Sequence, residues 1–200
     1  MGPMHSPEPT PLDGDEQRAL LEVARQSIDH GLREGRLLAV DPAAYPPRLR
    51  TPGAAFVTLH ERGELRGCIG HLEAIGPLVR DVAENAFAAA FRDPRFPPLQ
   101  PHERDHLEIE ISVLTAPEPL DCASEDQLLH QIVPGRDGLI LAEERARGTF
   151  LPAVWEGLPD PRDFIRHLKI KAGLGPDHWS DAIRVWRYHT QSFSEDSRRT

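Results

Sequence analysis

Apolar residues recur at helical spacing early in the chain. Leu20, Leu21, Ala24, Ile28 and Leu32 fall on one face, Asp13 or Asp15 is placed to cap, and Gly35 to stop. The period then changes from 3.6 to 2. Phe56-Val57-Thr58-Leu59-His60 reads as a strand, Glu61-Arg62-Gly63-Glu64 as a turn, and Leu65-Arg66-Gly67-Cys68-Ile69-Gly70 as the returning strand of a hairpin. Pro77 opens a second helix whose apolar face runs through Val79, Val82, Ala86, Phe87 and Ala90, and Asp93-Pro94-Arg95-Phe96-Pro97-Pro98 ends it. The cleanest alternation in the chain is Leu107-Glu108-Ile109-Glu110-Ile111-Ser112-Val113, with one apolar and one polar face. Further on, Ser124 caps a short helix, 138–142 and 149–151 read as strands, Asp160-Pro161 starts a helix that Gly173 stops, and 183–193 is a last strand.

These elements predict an α+β fold: an antiparallel sheet with flanking helices, its strands at 56–60, 65–70, 107–114 and 183–190. The proline-rich stretch 1–12 reads as a disordered leader, 13–194 as a single domain, and 195–200 as a frayed tail. His167, Lys169 and Lys171 read as surface charge on the last helix, and Asp93 and Arg95 as a local cap or bridge.

Composition narrows the function. Lys plus Arg is 23 against 32 for Asp plus Glu, a net charge of −9, which argues against broad binding of nucleic acid or an anionic membrane. No apolar run is long enough to suggest a membrane span, and no secretory signal is evident. The 2 cysteines, Cys68 and Cys122, make no CxxC motif. A cytoplasmic protein with reduced thiols and no cofactor is expected. The 10 histidines have no metal-ligand spacing, so no metal site is expected.

The candidate chemistry centres on the hexapeptide. Alternation puts Arg66, Cys68 and Gly70 on one strand face and Leu65, Gly67 and Ile69 on the other. A guanidinium beside a thiol favours the thiolate, which is the nucleophile, whereas a free cysteine without such a setting is commonly a small core hydrophobe. Gly67 and Gly70 leave room for a ligand or another backbone. His60 and His71 lie at the two ends of the hairpin, within reach of Cys68 if the register allows. Glu108 and Glu110 are expected on the same sheet face as Arg66 and Cys68, as pairing or acid/base groups. The candidate catalytic residues are therefore Cys68, Arg66, Glu108 and Glu110, and the candidate ligand-binding residues Gly67, Gly70, His60 and His71.

The ordered series Phe56-Val57-Thr58-Leu59, Leu65 to Gly70, Phe91-Arg92-Asp93-Pro94-Arg95-Phe96 and Leu107 to Ser112 resembles the AMMECR domain family, called AmmeMemoRadiSam system protein A in bacteria and archaea. Gly138-Leu139-Ile140, Gly148 to Trp155 and Lys171-Ala172-Gly173-Leu174 extend the resemblance to residues 15–193. It departs at one point: the helix before Lys171 lacks the cysteine the family usually has there. The resemblance implies a second, smaller lobe, a hexapeptide near a cleft, and action alongside a Memo-like protein and a radical SAM protein. It implies no established reaction. Two functions are therefore carried forward: a cysteine-dependent enzyme or enzyme component acting on a small molecule, and a non-catalytic binding or adaptor module using the same surface.

Overall fold

The computed structural model describes residues 11–195. The expected disorder of residues 1–10 and fraying of 196–200 lie outside that range. The chain divides into two compact units, one formed by residues up to Leu114 together with those from Gln191 onward, the other by Thr115–Thr190.

In the first unit α1 (Gly14–Glu34) starts on a capping box, with the Asp13 side chain accepting from backbone N–H groups and Glu16 reaching back to the Asp13 N–H. It ends at Gly35, whose positive φ of 67° suits a residue without Cβ. Two single-turn helices and the short β1 (Pro52–Gly53) lead into β2 (Ala55–Glu61) and β3 (Glu64–Gly70), the expected hairpin. After the short β4 (Gly76–Pro77), α2 (Leu78–Phe91) packs with α1 on one face of the sheet, and a single-turn helix, Pro101–His106, precedes β5 (Leu107–Leu114). The core between helices and sheet holds Leu20, Ile28, Val57, Leu59, Val82, Ile109 and Ile111. Leu12, which composition assigns to the leader, is only 7% exposed and donates its N–H to Gln191 Oε1, so the folded region begins before Asp13. Glu195 is likewise held by Arg25 rather than frayed.

The second unit contains β6 (Glu118–Leu120), α3 (Glu125–Gln131), β7 (Gly138–Glu143), β8 (Ala146–Phe150), α4 (Pro161–Lys171) and β9 (Arg184–Tyr188). Its antiparallel sheet runs β6-β9-β7-β8. Trp155 stacks on Phe164 at 3.7 Å between centroids, and its indole N–H donates to the Asp137 carbonyl. Lys169 is not surface charge: it is 1% exposed and its ammonium lies 2.6 Å from Glu125, a pair that a helical wheel cannot reveal because Glu125 comes from α3.

One expectation is corrected. The last strand does not run through 183–190 in the hairpin's sheet. It divides at His189, where the N–H donates to Thr115 Oγ1 and the carbonyl accepts from the Thr115 N–H. The part before the break, β9, belongs to the second sheet, and only β10 (Thr190–Ser194) joins the first, whose order is β10-β5-β2-β3.

Candidate functional site

The face of the first sheet turned away from α1 and α2 is built in rows by strand register. Cys68 on β3 stands opposite Thr58 on β2, which stands opposite Glu110 on β5. The next row holds His60 opposite Glu108. Two strand spacings separate Cys68 from Glu110, about 10 Å, and His60 is a diagonal neighbour of Cys68 at about 7–8 Å. Register thus gathers Cys68, His60, Glu108 and Glu110 on one side. Cys68 is half-buried, and the Thr58 hydroxyl donates to its sulfur at 3.3 Å.

Arg66 is not part of that row. A bulge between Leu59 and His60 leaves it without a cross-strand partner. Its guanidinium is buried against Glu103, with Nε 2.6 Å from Oε1, and it donates to the Pro97 carbonyl. Arg66 in turn holds the Glu103 carboxyl below the usual range. The cation expected to serve the thiol is therefore spent on a structural ion pair.

A different arginine takes its place. β3 is an edge strand, and the segment after α2 covers that edge. Asp93 Oδ2 accepts the Cys68 N–H at 2.9 Å, and Arg95 Nη2 donates to the Cys68 carbonyl at 3.1 Å. Asp93 grips Arg95 through both carboxylate oxygens, at 3.0 Å to Nε and 2.7 Å to Nη2. Arg95 thereby holds the Asp93 carboxyl well below the usual carboxylate range, with the backbone N–H groups of Cys68 and Arg95 adding to the effect. Arg95 is itself pushed up, first by Asp93 and further by the Cys68 sulfur beside it. Sequence reasoning confined Asp93 and Arg95 to a local bridge. Their tie to Cys68 depends on how the chain returns after α2, and the only local signal was the Asp-Pro-x-Phe-Pro turn itself.

The glycines serve close approach by the chain's own atoms. Gly67 faces α2 against the Ala89 carbonyl, and the space above Gly70 is filled by the Phe56 ring. His71 leaves the Cys68 face: its Nδ1 lies 2.6 Å from Asp81 Oδ1, while Asp81 Oδ2 accepts the Ala55 N–H and an Asn85 N–H. Burial raises the Asp81 carboxyl against the opposing pull of His71. The Asp81 and Asn85 side chains satisfy Ala55 where the β2–β3 ladder ends, so no Cys–His couple involves His71.

Beyond Glu108 lies a cavity of about 550 Å³ whose lining includes Arg25, Arg62, Arg104 and Glu195. Arg25 is paired with Glu195 and Arg104 with Asp29, so most of its charge is already neutralised. Among the described residues no group of three His, Cys, Asp or Glu side chains is disposed to hold a metal ion, and no helix is long and apolar enough to cross a membrane.

The model of the AMMECR1 family matches residues 21–193. The chain belongs to the AMMECR1 family. Among AMMECR1 relatives, a protein of Methanothermobacter thermautotrophicus is 43% identical over 188 residues, spanning 93% of this chain and 97% of that one. A Thermofilum pendens protein is 41% identical, spanning 92% of each chain. The crystal structure of the uncharacterized protein PH0010 from Pyrococcus horikoshii superposes with a TM-score of 0.83 at 34% identity, covering 92% of this chain and 94% of that one.

Proposed function

We propose that this AMMECR1 protein performs thiol chemistry at Cys68, as an enzyme or as the component of one that presents the nucleophile. The observation that carries the reading is the half-open sheet face on which the Thr58 hydroxyl donates to the Cys68 sulfur while the Arg95 guanidinium holds the carbonyl of the same residue. A hydroxyl donor and a fixed cation both favour the thiolate over the thiol. In this reading the thiol proton leaves to water, the sulfur bonds to an electrophilic carbon, and the leaving group departs with the bonding pair. Glu110, in the same row, is the acid/base group for the bound intermediate, with Glu108 and His60 one row along.

Cys122 is the internal reference, because burial, with Asp121 adding to it, pushes its thiol up. Alkylation of the folded protein at neutral pH, with mass-spectrometric assignment, is expected to label Cys68 faster than Cys122. Arg95→Ala and Thr58→Val slow the labelling of Cys68. A Cys68 that stays unlabelled until the protein unfolds refutes the reading.

A second reading has its own observation. Leu65 is 43% exposed and Ile75 81% exposed, so large apolar side chains stand in solvent at both ends of the hexapeptide. An adaptor that docks a partner would use them. The Memo-like and radical SAM partners implied by the resemblance belong to this reading, and association with either protein that is lost in Ile75→Asp and kept in Cys68→Ser supports it.

A further inference from the structure

We propose that the cavity beyond Glu108 binds a short peptide-like zwitterion, with its carboxylate on Arg62 and its ammonium on Glu108. The cavity lies wholly within the first unit, and its volume of about 550 Å³ is in the usual range for a small-molecule site. Its walls are braced from behind. Arg25 forks onto both carboxylate oxygens of Glu195 and also donates to the Leu107 carbonyl, while Arg104 forks onto Asp29. These pairs fix the walls before any ligand arrives and use up their own charges. Asp105 is neutralised more loosely, 3.4 Å from Arg104 Nη1. Two charges of opposite sign are left over. Among the described residues neither the Arg62 nor the Glu108 side chain has a partner, and the two line the same cavity without meeting. Arg62 sits in the β2–β3 turn at a positive φ of 54°, followed by Gly63 at 84°. A two-residue turn of this kind favours Asn-Gly or Asp-Gly. Arginine takes a conformation that side chains with a Cβ avoid, and the turn thereby keeps a guanidinium at the cavity wall. Register pairs Glu61 with Leu107 and His60 with Glu108, so the Cα atoms of Arg62 and Glu108 stand about 8–10 Å apart. A simple anion or a simple cation satisfies one of the two charges and is repelled by the other. A ligand with both charges several bonds apart, as at the two ends of a dipeptide, satisfies both. The site requires no reaction at Cys68.

The test titrates three probes into isotopically labelled protein and follows the backbone amide shifts of the cavity residues by nuclear magnetic resonance. The probes are glycylglycine, N-acetylglycylglycine, which lacks the cation, and glycylglycinamide, which lacks the anion. Glycylglycine is expected to bind about two- to fivefold more tightly than either of the others, the scale of one exposed ion pair. Arg62→Gln removes its advantage over glycylglycinamide, and Glu108→Gln removes its advantage over the acetylated probe. Each variant leaves the other advantage in place, and both advantages decline as ionic strength rises. Glycine, with its two charges on one carbon, binds more weakly than glycylglycine. Equal binding of the three probes, an advantage that survives substitution of the residue assigned to it, or an absence of shifts at the cavity overturns the zwitterion site. Tighter binding of glycine than of glycylglycine overturns the peptide-like spacing. None of these outcomes bears on the labelling of Cys68, so this site and the thiol reading fail separately.

Discussion

Gly67→Ala tests whether the tight seat of β3 on α2 sets the geometry of the Cys68 strand. A methyl carbon at this position would overlap the Ala89 carbonyl oxygen and stand 3.1 Å from its carbon and 3.6 Å from its Cα. Carbon atoms in contact prefer about 3.5–4.0 Å, so helix and strand must part by about half an ångström to one ångström. The obstacle is backbone, and α2 is packed along its flank by α1, so moving the helix off β3 also disturbs the helix–helix contact. Overpacking of this kind costs about 1–3 kcal/mol, and a rigid obstacle puts the variant in the upper half of that range. At about 4 °C per kcal/mol for a unit of this size, Tm falls by about 8–12 °C. The assay is thermal unfolding by circular dichroism beside Gly76→Ala, where an added Cβ meets nothing within 4 Å and little change is expected. A Gly67→Ala protein melting within about 2 °C of the parent, a loss of only about 0.5 kcal/mol, would refute the packing argument.

Three further outcomes are expected. Arg66→Ala leaves the Glu103 carboxylate, 11% exposed in its side chain, without its cation, and should lower stability by about 3–5 kcal/mol; in urea melts Arg66→Ala/Glu103→Ala should cost less than the sum of the single variants. The Asp93 carboxyl is held below its ordinary 3.8, so its ionised form stabilises the fold above that value and the contribution is lost as pH falls through the lower folded value. Asp93→Asn should therefore lower the urea midpoint at neutral pH, and its gap from the parent should narrow in acid. Burial pushes the Tyr188 hydroxyl up to about 12, and burial, with Glu22 adding to it, raises Tyr45; these are the 2 tyrosines of the chain, so ultraviolet titration should show no tyrosinate step at the ordinary 10 until the protein unfolds.

Local pattern carried much of the fold. The alternation in Leu107 to Val113 and in the hairpin located three strands of the first sheet, and it put Glu110 and Cys68 on a common face before any register was known. What pattern cannot carry is allegiance. A run of β-formers such as 183–193 records that it is extended but not which sheet it joins, and the division at His189 depends on hydrogen bonds to Thr115, far away in sequence. The same limit separated the two arginines. Arg66 shares a strand with Cys68 and invites pairing by alternation, yet one bulge diverts it to Glu103. Arg95 sits beyond a helix and a proline turn, and only the return of the chain along β3 brings it to the Cys68 carbonyl. The expectation of an arginine beside Cys68 came from the sequence; which arginine it is required the third dimension.

The placement of β10 has a consequence for how the protein is made. Ser112 on β5 and Ser192 on β10 share a hydrogen bond across 80 residues of sequence, and Leu12 meets Gln191 across 179. The unit that begins first therefore cannot complete its sheet until β10 has left the ribosome, and during that interval the flank of β5 is an unpaired template. The unit of residues 115–190 is continuous but waits almost as long, because β9, which stands between β6 and β7 in its sheet, ends at Tyr188. Each sheet is thus closed by one of two neighbouring strands, β9 and β10, so the sheet that carries Cys68 and the second sheet are both completed by the same late stretch of chain.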